Sequence, residues 1–195
     1  LCFFTGSFQI GGAENLIIQI IRNLDKNKYN ISIASFSEKG ELFEDYKNLG
    51  VEIYIFPQKR NILSSIIRFA FFLRKHRINC IHIHLTGTFS FAVTIAKLMN
   101  IQNIIIHWHN VYYLNTKRLS PFKRFLSRSI LKYSGRVAHS IIAISSKVKE
   151  YNCKAFKIDS RKVTIIYNAI DFSLIPKQKK EFRNNNDMLI GSIGR

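Results

Sequence analysis

Seven short apolar segments alternate with helical patterns along most of the chain, and this alternation constrains the fold more than any other feature. The segments cover residues 1–5, 31–36, 51–56, 80–85, 104–107, 140–144 and 163–167. The helical patterns fall near residues 13–24, 41–49, 61–76, 89–99, 121–134 and 146–156. Strands that alternate with helices form βαβ units, and continuously apolar strands indicate that helices cover both faces of the sheet. The sequence therefore predicts an α/β fold with a doubly wound, Rossmann-like parallel sheet.

A pair of glycines, Gly11 and Gly12, separates the first predicted strand from the first predicted helix. Such a turn presents bare backbone N–H groups and the positive end of a helix dipole at the carboxyl edge of the sheet, where a phosphate can approach. A purely structural turn is the alternative interpretation. The distance from Gly6 to Gly11 does not fit the G-x-G-x-x-G fingerprint, which argues against a nicotinamide-dependent enzyme.

Positive charge is concentrated in the middle of the chain. The formal net charge is +18, and residues 53–149 contain 16 Lys and Arg but no Asp or Glu. A surface of this kind suits an anionic membrane, a phosphorylated substrate or a nucleic acid, and charge alone does not choose among them. Solvated helix faces with no partner are the remaining interpretation.

The end of the chain has the composition of a domain boundary. Residues 177–187 are polar and include three consecutive asparagines, which is typical of an exposed connection. We expect residues 1–176 to form one domain, residues 177–187 to be a linker, and residues 188–195 to begin a second domain with a strand. Because the chain starts inside a predicted strand, we also expect it to be a fragment.

Cysteine usage and hydropathy indicate the compartment. Cys2, Cys80 and Cys153 form no Cys-x-x-Cys pair, which predicts reduced thiols in a cytoplasmic protein. No apolar run reaches the roughly 18 residues that a membrane span requires.

Four histidines form two His-x-His pairs, each near the carboxyl end of a predicted strand. The pairs are His82 with His84 and His107 with His109. Side chains two residues apart on a strand share a face, so a metal-dependent hydrolase is one hypothesis. A ligand cleft at the carboxyl edge of the sheet is the other, and it favours His109 because a loop follows it directly.

An ordered set of motifs resembles the family 4 retaining glycosyltransferases over essentially the whole chain. The motifs are residues 11–14 (GGAE), 81–84 (IHIH), 109–110 (HN), 143–146 (AISS), 162–171 (KVTIIYNAID) and 190–195 (IGSIGR). The resemblance implies a GT-B architecture of two Rossmann-like domains, of which this chain holds the N-terminal, acceptor-side one. The donor-binding C-terminal domain would then be missing, and we expect no turnover without it.

The resemblance also implies roles for individual residues. The backbone of Gly11 and Gly12, together with Arg195, would meet the donor diphosphate, and His109 would touch the transferred sugar as the catalytic residue. Cleft candidates for the acceptor are His84, Asn110, Ser145 and Asn168. The implied partners are a nucleotide-sugar and a glycan or lipid-linked acceptor, with transfer under retention of configuration. No cofactor and no metal are expected, because cations and helix N-termini can serve the leaving diphosphate.

The segment from Ser120 onwards predicts an amphipathic cationic helix, with Ser as its cap and Pro121 in its first turn. Its basic residues and the two before it are candidates for contact with an anionic membrane: Lys117, Arg118, Arg124, Arg128 and Lys132. In that case the protein would be peripheral on the inner face of the cell membrane. Packing of the aromatic face on the sheet is the alternative. A nucleic-acid-binding module is supported only by charge, because no nucleic-acid-binding signature is present and we expect no nucleic-acid partner.

Overall fold

The computed structural model describes residues 1–57, 61–85, 91–112 and 120–169. Within these ranges the chain forms one sheet of seven strands, and every neighbouring pair is parallel. The strands are β1 (Cys2–Thr5), β2 (Ser32–Ser35), β3 (Glu52–Ile55), β4 (Cys80–Leu85), β5 (Asn103–Trp108), β6 (Ser140–Ala143) and β7 (Val163–Ile165). Their order across the sheet is β3-β2-β1-β4-β5-β6-β7. The predicted Rossmann-like fold is confirmed.

Six α-helices connect these strands. They are α1 (Gly12–Asn23), α2 (Phe43–Asn48), α3 (Ile62–Lys75), α4 (Phe91–Leu98), α5 (Pro121–Val137) and α6 (Ser146–Phe156), and a short 3₁₀ turn (Ser160–Lys162) precedes β7. Three of them begin at side-chain caps that follow the expected chemistry, because Asn61, Ser120 and Ser145 each accept a hydrogen bond from the first helical turn. The predicted boundaries differ from the observed ones by at most three residues.

The two faces of the sheet carry separate hydrophobic cores. On one face, α1 and α2 cover β1 and β2, with Phe3, Ile17 and Ile33 fully buried. On the other face, α3 to α6 cover residues of β1, β2 and β4 to β7, among them Phe4 on β1 and Ile83 on β4. Side chains of a strand alternate between faces, so strands buried on both faces need apolar residues at consecutive positions.

The strand order reverses between β1 and β4, because β1 pairs with β2 on one side and with β4 on the other. This is the arrangement of Rossmann-like sheets, and it leaves a crevice at the carboxyl ends of the central strands. Cys2, Cys80 and Cys153 are free thiols. In the described ranges, none of the helices has the length and apolar character needed to cross a bilayer. The predicted linker 177–187 and the strand 188–193 lie outside the described residues.

Candidate functional site

A cleft of about 470 Å³ lies at the carboxyl edge of the sheet, where loops after β1, β5, β6 and β7 meet. Ligands of open parallel sheets bind at this edge, next to the reversal of strand order. The structure brings five of the predicted site residues together around this cleft: Gly11, Gly12, His109, Asn110 and Asn168. Residues that are 157 positions apart in the sequence, Gly11 and Asn168, thus line one cavity.

The glycine turn leaves the start of α1 open to the cleft. Gly11 is the N-cap residue and provides no side-chain cap, so the first N–H groups of α1 have no carbonyl partner within the helix. The position of a Cβ on Gly12 has no heavy atom within 4 Å among the described residues. A ligand phosphate can therefore approach the helix backbone directly at Gly12.

Two polar side chains beside this turn were not among the predicted site residues. Glu14 lies in the first turn of α1, and its carboxylate is so close to Gly11 that any Cβ there would collide with it. Ser7 Oγ donates a hydrogen bond to Glu14 Oε1 at 3.2 Å, and both residues line the cleft. Glu14 is visible in the sequence, but a carboxylate in the first turn of a helix is explained equally well by the helix dipole.

His109 borders the cleft and is only 8% exposed. One of its ring nitrogens, Nε2, lies 2.9 Å from Nδ1 of His84, so one ring donates and the other accepts. Burial lowers the pKa of His109 to about 4. The imidazole is therefore uncharged at neutral pH. Among the described residues Nδ1 has no hydrogen-bond partner, so it is the nitrogen left for a ligand.

The loop that carries His109 is held by a buried amide on α6. Asn152 is fully buried, its Nδ2 donates to the carbonyl of Asn110 at 3.0 Å, and its Oδ1 accepts from the N–H of Tyr112 at 3.1 Å. Two hydrogen bonds from one side chain fix the backbone on both sides of Val111. Sequence reasoning missed Asn152, because a single asparagine within a helical pattern carries no signal of a contact 42 residues away.

His84 does not line the cleft but lies behind His109. The four histidines of the two pairs are all buried on the face of the sheet that α1 occupies, with exposed fractions of 2% to 8%. Burial lowers the pKa of His82 to about 4 and that of His107 to about 3, and it holds the pKa of His84 well below its usual range. Their ring centroids lie 4.3 Å to 5.4 Å apart, so they form one cluster.

Of the remaining predicted site residues, Ser145 is described and does not line the cleft. Ser145 is the N-cap of α6, where its Oγ accepts from the N–H of Val148 at 3.2 Å, so it has a structural role already. Arg195, Lys117 and Arg118 lie outside the described residues.

A second and larger groove, about 750 Å³, lies at the opposite, amino edge of the sheet. It is lined by residues from the starts of strands and the ends of helices, such as Leu24, His76 and Asn103. Despite its size we place the candidate site in the smaller cleft, because only there do a helix N-terminus and the reversal of strand order coincide.

Helix α5 exposes apolar side chains as well as basic ones. Phe122 is 72% exposed and Phe125 is 69% exposed, and Leu126 is exposed beside them. The alternative in which this aromatic face packs on the sheet is therefore wrong for the first half of α5. The buried residues of α5 are Leu131, Ser134 and Gly135, all in its second half.

A substitution at Gly12 tests whether the open helix start binds the donor. Leucine at this first helical position meets no heavy atom at its Cβ and has a higher helix propensity than glycine. We expect Gly12→Leu to leave the unfolding temperature unchanged or slightly higher. In the full-length protein it should weaken nucleotide binding at least tenfold, because the leucine side chain fills the space in front of the N–H groups.

Gly12→Ala is the control with a smaller side chain, and it should lose less nucleotide affinity. Titration calorimetry measures both affinities. Unchanged affinity in Gly12→Leu would contradict a phosphate site here.

The family model described as Glycosyltransferase Family 4 matches residues 10–174. The capsular polysaccharide biosynthesis glycosyltransferase CapH of Staphylococcus aureus is 23% identical over 175 residues, which cover 90% of this chain and 48% of CapH. An Escherichia coli relative, UDP-Gal:alpha-D-GlcNAc-diphosphoundecaprenol alpha-1,3-galactosyltransferase, is 22% identical over 168 residues, covering 83% of this chain and 42% of the relative. The chain thus spans less than half the length of these two proteins.

Solved structures share the fold. Anabaena HepE, crystallised in complex with UDP and glucose, superposes with a TM-score of 0.62 at 16% identity. The superposition covers 87% of this chain and 44% of the HepE chain. At this identity the likeness concerns the fold alone.

Proposed function

The chain belongs to glycosyltransferase family 4, and from this premise we propose that the protein transfers a sugar from a nucleotide-sugar to a glycan or lipid-linked acceptor, with retention of configuration. The observation that carries the proposal is the cleft in which the open start of α1 and the neutral imidazole of His109 face one ligand space. Because the chain spans less than half of its relatives, the complete activity is proposed for the full-length protein.

The donor proposed is a uridine diphosphate sugar. HepE was crystallised with UDP and glucose, and the E. coli relative is named for UDP-Gal and an acceptor linked to diphosphoundecaprenol. In this chain, the N–H groups at Gly12 would stabilise the negative charge that grows on the departing diphosphate. We propose that no metal ion and no cofactor are needed at the phosphates, and that Arg195 adds a cation there.

His109 would contribute a directed hydrogen bond to the transferred sugar. A neutral imidazole whose Nε2 is already paired with His84 offers one remaining nitrogen, Nδ1, with a fixed role as donor or acceptor. Asn152 holds the loop so that this nitrogen is placed before the donor arrives. Glu14 lines the same cleft, with its carboxylate against Gly11.

Incubation of the full-length protein with a panel of nucleotide-sugars and a polyprenyl-diphosphate-linked sugar tests the proposal. We expect release of UDP that depends on the acceptor, and a product whose anomeric coupling constant in the NMR spectrum equals that of the donor. A product of inverted configuration would exclude retention. If no nucleotide bound saturably to the protein, the proposed sugar transfer would be excluded. Nucleic-acid binding and metal-dependent hydrolysis are not proposed as functions of this cleft.

We propose further that the protein contacts an anionic membrane from its cytoplasmic side through α5. Exposed Phe122 and Phe125 can enter the interface, while Arg124, Arg128 and Lys132 lie on the same helix to meet acidic headgroups. Helix α3, on the same side of the sheet, exposes a second apolar stripe next to Arg68: Ile62, Leu63, Ile67 and Phe71. A lipid-linked acceptor is found at such a surface.

Charge reversal on α5 is expected to release the protein from acidic vesicles. Arg128→Glu should weaken binding to phosphatidylglycerol vesicles about tenfold or more, since each basic residue at the surface contributes roughly 1 kcal/mol. Arg22→Glu makes the same change of charge on α1, on the opposite face of the sheet, and should have little effect. Vesicle flotation measures both. Equal recovery of the unmodified protein with phosphatidylcholine and phosphatidylglycerol vesicles would contradict the proposal.

A further inference from the structure

We propose that His82, His84 and His107 form a binding site for a divalent transition metal, and that the ion best suited to it is zinc. The proposal concerns the imidazoles behind the cleft rather than the donor phosphates, and it stands independently of the proposed sugar transfer.

The sheet places the three imidazoles on neighbouring positions of one face. His82 and His84 are two residues apart on β4, so their side chains point to the same side. His107 on β5 is the direct register partner of His84. One ring nitrogen from each of the three lies within 4.8 Å of the other two.

These distances allow a metal site after a small contraction. Zinc bound at about 2.0–2.1 Å in a tetrahedron spaces its nitrogen ligands by about 3.4 Å. The rings must therefore approach each other by about 1.5 Å at most, which rotation about the side-chain torsions can provide. Three protein imidazoles leave a fourth position for water or an exchangeable anion.

Each of the three rings has at least one buried nitrogen that makes no hydrogen bond to the described residues. Among the described residues, His82 Nε2, His84 Nε2 and both nitrogens of His107 are buried without a hydrogen-bond partner. An unpaired buried polar atom costs about 1–3 kcal/mol, so a cluster with four such atoms is a costly arrangement without an occupant. A bound metal would coordinate one nitrogen on each ring. It would thereby account for the burial of these polar atoms together, which packing alone does not explain.

The hydrogen bond between His84 and His109 can orient His84 as a metal ligand. If Nε2 of His84 coordinates the ion, its Nδ1 keeps the proton and donates to Nε2 of His109 at 2.9 Å. Histidine ligands commonly donate their second N–H to a neighbouring acceptor, which fixes the tautomer and the orientation of the ring. Zinc is favoured over magnesium or calcium because the ligands are imidazoles without a carboxylate.

Metal titration of the full-length, tag-free protein tests the site. After treatment with a chelator and readdition of ZnCl₂, we expect one zinc ion per chain by mass spectrometry of the desalted protein. An excess of zinc should raise the unfolding temperature by about 5 °C or more. Cobalt in place of zinc should give the intense visible absorption of a four-coordinate ion. Binding of less than 0.1 equivalent (roughly the background of such assays) would overturn the proposal.

Variants assign the ion to this cluster. His107→Phe keeps an aromatic ring of similar shape but removes both unpaired nitrogens, so it should fold and lose the metal. His82→Phe serves as the second variant if the first is poorly expressed. His76→Gln removes an exposed histidine outside the cluster and should retain one equivalent. Retention of zinc by both phenylalanine variants would overturn the proposal. Sugar transfer by the chelator-treated protein is measured separately, so a failure here does not decide the fate of the proposed function.

Discussion

Replacement of His109 by alanine is expected to lower kcat/KM for sugar transfer about 100-fold to 1,000-fold, the usual loss when one preorganised hydrogen bond to the reacting group is removed. The imidazole is neutral, buried at the edge of the cleft, and held by His84 on one side, so water cannot easily replace it in the same position. We expect kcat to carry most of the loss, with a nucleotide dissociation constant within about threefold of that of the unmodified protein.

Two comparisons separate this effect from a loss of structure. His109→Ala removes the partner of a buried His84 nitrogen, so a decrease in stability of about 1–2 kcal/mol is expected and assays should run well below the unfolding temperature. His76→Ala removes an exposed imidazole on the other edge of the sheet and should keep full activity. If His109→Ala transferred sugar within threefold of the unmodified rate, His109 would have no catalytic role.

The architecture could be predicted from the sequence because parallel strands buried on two faces must be apolar at consecutive positions. Three consecutive isoleucines within β5, residues 104–106, show this. A boundary was missed where the helix continues past its sequence pattern. Helix α5 extends to Val137 rather than residue 134, and Gly135 in this added turn lies close against Ile158.

The candidate site could be predicted only where it depends on local chemistry. The glycine turn lies at the start of α1, and His109 follows the end of β5. The ends of helices and strands can be predicted from the sequence. Glu14 and Asn152 act through contacts that depend on the folded arrangement, one across the helix start and one across 42 residues. The burial of all four histidines could not be predicted either, because alternation along a strand gives the face but not what covers it.

The proposed membrane contact of α5 depends on charge and exposure together. The sequence established a carboxylate-free stretch of 97 residues, 53–149, but left open whether the aromatic residues within it were buried. The structure shows Phe122 and Phe125 exposed on the same helix as the arginines. Exposed aromatic side chains beside cations distinguish a lipid-facing helix from a merely solvated one.

Acid is expected to destabilise the metal-free protein from about pH 6.5 downwards, where most carboxylates are still ionised. The pKa values of His82, His107 and His109 are lowered from 6.5 to about 4, 3 and 4, first of all by burial, and that of His84 is also lowered. Histidines of the unfolded chain take up protons near pH 6.5, whereas those of the folded protein stay neutral to a lower pH. The unfolded state therefore binds more protons between about pH 6.5 and 4. Stability must therefore fall as the pH falls through this window.

The size of the effect makes it easy to detect. Each histidine lowers the unfolding free energy by about 1.4 kcal/mol per pH unit within its window, and a domain has only about 5–15 kcal/mol in total. Urea unfolding in the presence of a chelator, followed between pH 7.5 and 4.5, should show a steep decline and an acid-unfolding midpoint above pH 4. His107→Phe should reduce the slope by about one proton. A free energy of unfolding that stays constant down to pH 4.5 would mean that the four imidazoles are not buried together as neutral groups in solution.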